Sequence, residues 1–294
     1  MDVYAPSRKS LIPSLTKKRN LVKINSLEQV QLGIVLIAGS FSGGILTYFF
    51  GPNLTFVING FSFGIAASIL YFLPRKERKE NGESFRGKRV QSSLPLRKML
   101  LASSSLLIVI LLECLIPLFN GIDNVLISIY AVEEFKLGDL GVGLFYGSLG
   151  IGLVLSFAFS DRLKKNLVLV GLLALAIEGL LLMLLSQVYF YQAAFLIYIN
   201  IAFLSGIGNT CFDTVVMKET PVEHQGKIFG LLATISNTLL GLSMFGTGAL
   251  LEIMENRFVG LLGGAAFVFI GFVLIGVYYW KIRTDGGSSI RKTG

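Results

Sequence analysis

Hydrophobic and polar positions along this chain fall into long blocks. Eight apolar runs stand out, near 29–50, 53–73, 99–131, 140–160, 167–187, 189–212, 228–250 and 259–280. Crossing about 30 Å of hydrocarbon takes roughly 20 helical residues. Each run reaches that length, so the pattern predicts an all-α integral membrane protein with eight transmembrane helices. The third run is too long for one upright span. It predicts a tilted helix, or one whose outer part passes beyond the lipid around Pro117 and Gly121.

Charge then orients the spans. The sequence has 26 Lys and Arg, and 24 of them lie in 1–28, 74–98, 161–166, 213–227 and 281–294. The opposite loops hold Lys136 and Arg257. Cytoplasmic loops of membrane proteins collect Lys and Arg, so the bias predicts cytoplasmic termini and agrees with an even number of spans. The polar run "RKERKENGESFRGKR" (75–89) reads as a solvated linker. The expected organisation is a loop and helix start over 1–28, two helices over 29–73, a cytoplasmic linker over 74–98, six helices over 99–280 and a cytoplasmic tail over 281–294.

Composition narrows the function. Of 294 residues, 53% are hydrophobic and 15% charged, against about 25% charged in soluble domains. The net charge of +8 is explained by loop topology, and no basic patch with interleaved aromatics suggests nucleic acid. There is no phosphate-binding G-x-x-x-x-G-K-[ST] loop and no H-E-x-x-H motif, and His224 is the single histidine. Cys114 and Cys211 sit in apolar runs and read as small hydrophobes. No cofactor and no metal site is implied, and no enzyme chemistry is expected.

The stretch "LLECLIPLFNGIDNV" (111–125) breaks the apolar pattern. An acid at mid-membrane costs about 2.5–3.5 kcal/mol, so Glu113 and Asp123 must be neutralised, paired or wet. At about 100° per residue, Glu113, Pro117, Asn120 and Asn124 share one face, with Asp123 about 80° from Glu113. Such a face should look inward, towards a cavity. Asp123 then carries a proton, is simply hydrated near the outer interface, or bonds a neighbouring helix. Glu178, in "LLALAIEGLLLML", reads as an acid paired with a neighbouring helix or held protonated in a structural role, ahead of a part in transport. Tyr198, Ser205, Asn209 and Asp213 share a face of the sixth run, with Asp213 at its cytoplasmic edge. Gly143, Gly147 and Gly150 make a small-residue stripe suited to close helix packing.

An internal echo joins 12–40 and 220–248, with Pro13 to Gly33 and Pro221 to Gly241 equally spaced; parallel repeats mark transporter folds. Beyond the echo, "PSRKSLIPSLTKKRNLVKINSLEQV" (6–30) resembles the loop and helix start between helices four and five of major facilitator superfamily efflux permeases. The macrolide-efflux and enterobactin-exporter branch is the nearest type. "GPNLTFVINGFSFGIAASILYFLP" (51–74) resembles helix six of that branch. "DTVVMKETPVEHQGKIFGLLATISN" (213–237) resembles the loop before helix eleven. "GSFSGG" (39–44) resembles the antiporter signature, with Gly39, Gly43 and Gly44 in place and Ser40 where a proline is usual. "SDRLKKN" (160–166) resembles the loop signature between helices eight and nine through Asp161, Arg162 and Lys165; plain positive-inside charge explains these residues equally well.

The resemblance implies a partial major-facilitator fold: two helices from the first bundle, the complete second bundle, and no counterpart of helices one to four. It implies a bacterial cell-membrane carrier expelling small hydrophobic or amphipathic compounds in exchange for protons. Asp123 and then Glu113 are the proton-coupling candidates. Asn120, Asn124, Tyr198, Ser205 and Asn209 are the substrate-cavity candidates, the last three equally open to an interhelical bonding role. Asp161, Arg162 and Lys165 are gating candidates. The expected partners are a small molecule, protons, the bilayer, and a homo-oligomer or partner chain. The alternative is a truncated, non-transporting fragment or an assembly partner of another carrier.

Overall fold

The computed structural model describes residues 4–72 and 104–290. The predicted linker (74–98) and residues 291–294 of the predicted tail lie outside these residues. The described residues form helices and short connections, with no strand among them. The helices are α1 (Tyr4–Leu15), α2 (Leu21–Phe72), α3 (Ser104–Ile129), α4 (Gly138–Ser156), α5 (Leu167–Leu185), α6 (Tyr191–Glu219), α7 (Val222–Leu251) and α8 (Asn256–Ile290).

Seven of these, α2 to α8, are long and apolar enough to cross a membrane. The first two predicted runs are merged in α2, which has 52 residues. It turns on one residue: Gly51 has φ 75° and ψ 166°, and Pro52 follows. Only glycine takes that backbone cheaply, and proline's fixed φ suits the first position of the next helical stretch. The eight predicted spans thus appear as eight apolar helical segments. Ser40 introduces no break, because Gly51 is the one non-helical position inside α2.

Helix ends differ from the predicted limits where polar residues are absorbed into helices. The stretch predicted as loop and helix start carries α1 and a short 3₁₀ turn, Lys18–Asn20. Pro117 lies inside α3, which continues into a π-helical turn, Tyr130–Glu134. α6 runs on to Glu219, where Thr220 adopts the extended backbone that precedes a proline. The buried Gln225 side chain donates to the carbonyls of Met217 (3.0 Å) and Thr220 (2.9 Å). It thereby satisfies groups that a helix end leaves unpaired.

Helices α3 to α8 form a bundle in which α4 packs on α6, α6 on α5, α5 on α8, and α3 on α7 and α8. Its centre holds Phe145, Leu172, Tyr198, Phe212 and Phe267, each almost fully buried. Phe61, Phe63, Phe245 and Phe269 are instead largely exposed, as residues facing lipid tails should be. The first half of α2 packs on α4 through small residues. A methyl group on Gly143 would meet the Ser40 carbonyl oxygen at 2.7 Å, and one on Gly150 would meet that of Gly33 at 2.6 Å. The predicted glycine stripe is this contact. The internal echo is not matched in packing: Gly33 touches α4, whereas Gly241 meets nothing within 4 Å.

Candidate functional site

Polar side chains collect in two places. The first is at the end of the bundle where α1, the start of α2, and the C-terminal end of α6 converge. Lys9 of α1 donates from Nζ to both carboxylate oxygens of Asp213 on α6, each at 2.7 Å. Arg8 pairs with Glu28 of α2 at 3.1 Å and donates to Gln31 at 2.9 Å. Asn25 donates to Thr214 at 2.9 Å, and Thr214 in turn donates to the Thr210 carbonyl. The Lys9 ammonium also lies 5.7 Å from the Phe229 ring centre on α7. Burial works against its charge, but Asp213, helped by Glu113 and Glu28, outweighs this and holds its pKa above the ordinary value.

Glu113 belongs to this group. It is partly exposed and feels the charges of Asp213 and Lys9. Its backbone carbonyl accepts from Ser236 of α7 at 2.9 Å. Ser243 of α7 likewise donates to the Leu118 carbonyl, and Gly121 lets the two helices touch there.

The second group lies inside the bundle. Asp123 is partly exposed and lines a narrow cavity between α3, α5 and α8, with room for about one water molecule. Tyr130, placed by the π-helical turn, lines the same cavity; such turns recur at functional sites. Glu178 of α5 is buried, bonds the Ser205 hydroxyl of α6, and lies near enough to feel the charge of Asp123. The polar face predicted as one is therefore split: Asp123 lines the inner cavity, while Glu113 belongs with Lys9 and Asp213.

The remaining candidates are spread out. Asn124 donates its amide to the Asn120 carbonyl at 2.8 Å, and its own carbonyl accepts from Tyr146 of α4 at 3.3 Å. Tyr198 is fully buried with its ring 5.2 Å from that of Phe145. Asn209 is half-buried on α6. Asp161, Arg162 and Lys165 are exposed, and Arg162 covers the Phe159 ring at 4.7 Å. α2 packs against the 3₁₀ turn, Phe157–Arg162, that carries two of them. Gly39 and Gly43 border a groove of about 600 Å³ between the two halves of α2, whereas Gly44 packs on Gly143.

Sequence reasoning missed Lys9, Arg8 and Glu28. The basic start of the chain reads as loop charge, and the signal that could have singled these residues out is a short helical segment ahead of the first span. At the opposite end of the bundle, Arg257 pairs with Glu134 at 2.8 Å and donates to the Val188 carbonyl at 2.8 Å. Among the described residues, no group of three or more His, Cys, Asp or Glu is arranged to hold a metal ion.

Comparison with known proteins gives the family. Residues 1–243 match the Major Facilitator Superfamily. The uncharacterized MFS-type transporter YfiS of Bacillus subtilis (strain 168) is 24% identical over 289 residues, covering 93% of this chain and 68% of that protein.

Proposed function

Since the chain belongs to the Major Facilitator Superfamily, and is thus a multi-pass membrane transporter, we propose that it is a proton-coupled exporter of small hydrophobic or amphipathic compounds. Macrolide-type drugs belong to that class. The reading takes the membrane to be a bacterial cell membrane, with both termini in the cytoplasm, the orientation that the Lys and Arg bias favours.

The observation that carries it is four acids placed more than one turn from the ends of membrane-crossing helices α3, α5 and α6: Glu113, Asp123, Glu178 and Asp213. Among the described residues, Asp213 is the one of the four with an ion-pair partner, Lys9. An acid in lipid-solvated sequence without a cation beside it is tolerated where it carries a proton or meets water. On this reading Asp123, then Glu113, takes up a proton from one side and gives it up to the other. The Lys9–Asp213 and Arg8–Glu28 pairs close one mouth between α1, α2 and α6. Export opens and closes that mouth by moving helices against one another around the cargo. Asn120, Asn124, Ser205 and Asn209 supply polar contacts to a cargo otherwise held by apolar side chains.

The test is transport by purified protein in proteoliposomes under an imposed pH gradient, with a panel of fluorescent hydrophobic cations and macrolides. Gradient-driven movement of a panel member is expected. Asp123→Asn is expected to lower it at least about tenfold, the loss of an essential proton carrier, while membrane insertion stays normal. Wild-type rates in that variant would remove Asp123 from the cycle, and no movement of any compound would overturn the exporter reading.

A further inference from the structure

Tyr130 is given no part in that cycle, yet it forms part of the wall of the Asp123 cavity. We propose that one water in this cavity bridges the Tyr130 hydroxyl to the Asp123 carboxyl and is the path by which Asp123 takes up its proton from the outer side. Tyr130 is then a positioning residue: it holds the water that serves the acid. This rests on the proton-coupled reading and deepens it, by giving the proton an entrance apart from the mouth that Lys9 and Asp213 close.

Three observations carry it. The cavity lies between α3, α5 and α8, and Asp123, Leu126 and Tyr130 line it from one face of α3. Most of the remaining wall is apolar, including Phe119, Ile122, Leu182 and Phe267. A confined water needs a space of its own size and about two to four polar partners. The space fits one water, and Asp123 and Tyr130 supply two partners.

Next, the hydroxyl is aimed at that space and lacks a partner. Tyr130 is 3% exposed and Tyr198 fully buried, and neither hydroxyl has a hydrogen bond. Buried hydroxyls are nearly always bonded, and a lone one is costly. Side chains of a helix lean towards its N-terminus, and Tyr130 does so. A methyl group on Gly260 would strike its hydroxyl and would also meet Leu126 Cδ1 at 3.4 Å. The hydroxyl thus stands at the level of Leu126, about one turn from Asp123. The ring is held there by a chain of aromatic contacts, Tyr130 to Phe135 at 6.4 Å, Phe135 to Phe145 at 5.7 Å and Phe145 to Tyr198 at 5.2 Å.

Finally, the end of the cavity that Tyr130 covers is clamped. On the orientation taken above, this is the outer end. The π-helical turn begins at Tyr130 and ends at Glu134, and the Phe135 N–H donates to the Tyr130 carbonyl at 2.9 Å. Glu134 accepts from Arg257 of α8 at 2.8 Å, and Arg257 also donates to the carbonyls of Ser186 (3.1 Å) and Val188 (2.8 Å) just after α5. The clamp therefore ties together the three helices that enclose the cavity. The other titratable groups around Asp123 and Tyr130 are Glu178 of α5, Tyr146 of α4 and Tyr198 of α6. Arg257 is the cation of this set and is engaged by Glu134, so what Asp123 meets in the cavity is neutral, a water and a hydroxyl. A space for one water passes a proton by exchange along hydrogen bonds and has no room for a hydrated ion. Loading adds a proton to the water from the outer side, and the water gives one of its protons to the Asp123 carboxylate. Tyr130 keeps its own proton, and O–H bonds alone form and break.

The experiment is difference infrared spectroscopy of the purified full chain in lipid nanodiscs, between low and high pH, in ordinary water and in water labelled with heavy oxygen. A water O–H band that shifts with the label is expected in wild type, and is expected to vanish in Asp123→Asn and in Tyr130→Phe. In proteoliposomes, Tyr130→Phe is expected to lower gradient-driven transport about three- to tenfold at saturating cargo, the worth of one hydrogen bond, with the half-saturating cargo concentration unchanged. A ring that served packing alone would leave both band and rate as they are. A wild type without the label-sensitive band would overturn the proposal. So would a band that persists in either variant, or wild-type transport in Tyr130→Phe. Should Tyr130→Phe fail to fold, the wild-type band and its loss in Asp123→Asn decide. The band without transport of any compound would sink the carrier reading and leave the water site standing; transport without the band would do the opposite.

Discussion

Lys9 shows how a single residue organises one end of the molecule. Its ammonium is shared between both oxygens of Asp213, whose side chain is only 8% exposed. Removing the cation strands a nearly buried carboxylate. Lys9→Gln is therefore expected to lower stability by roughly 1–3 kcal/mol, below the cost of breaking a fully buried pair because Lys9 is partly wet. Thermal unfolding in detergent measures this, and Asp213→Asn in the same background should restore part of it. The pH dependence has a definite sign. The folded-state pKa of Lys9 lies above its ordinary 10.5, so its contribution is complete below that pH and is lost as pH rises through the folded value. A loss of that contribution at neutral pH would contradict the assignment. The position of Asp213 near the end of a span was legible in the spacing of α6. Its partner was not, because 204 residues separate the two and no local pattern encodes such a pairing. Asp123 and Glu178 were legible as misfits in apolar sequence, whereas the orphaned hydroxyls of Tyr130 and Tyr198 were not, since a tyrosine in an apolar run looks like ordinary packing.

Between elements, the glycines divide into two kinds that the sequence does not distinguish. Gly143 and Gly150 lie where backbones of α2 and α4 touch, while Gly39 and Gly43 have nothing within 4 Å of an added methyl. Gly143→Leu is expected to drive the helices apart at a cost of about 1–3 kcal/mol. Gly39→Ala is expected to be neutral or to stabilise by up to about 1 kcal/mol, because alanine is the better helix former. Equal effects in unfolding assays would show that the α2–α4 contact is not formed. The same limit explains why the antiporter-like signature was only half informative. Spacing identifies small residues, but a partner helix decides which of them matter, and that information lies about a hundred residues away. The spans were legible from run length, but α1 was not, because its 12 residues form no apolar run; helix ends were not legible either, because α6 and α7 meet at a single Thr220–Pro221 turn and draw polar residues into the last turn of one and the first turn of the other.

For the whole molecule, the charge pattern makes a labelling prediction. A cysteine introduced at Lys136 or Arg257 should react with an impermeant thiol reagent in intact cells. One introduced at Lys164 should react only after permeabilisation, with the native Cys114 and Cys211 replaced by alanine. Reversed labelling would invert the topology and move the Lys9–Asp213 mouth to the outer face. The seam between α2 and α4 has a consequence at this scale. The Phe41 ring fills the hollow over Gly147, Ile37 lies against Gly150 and Val154 against Gly33, so turning one rod against the other must wait for those side chains to clear their sockets. Such a joint behaves as a detent: it holds its two parts at a fixed spacing and resists their swivel.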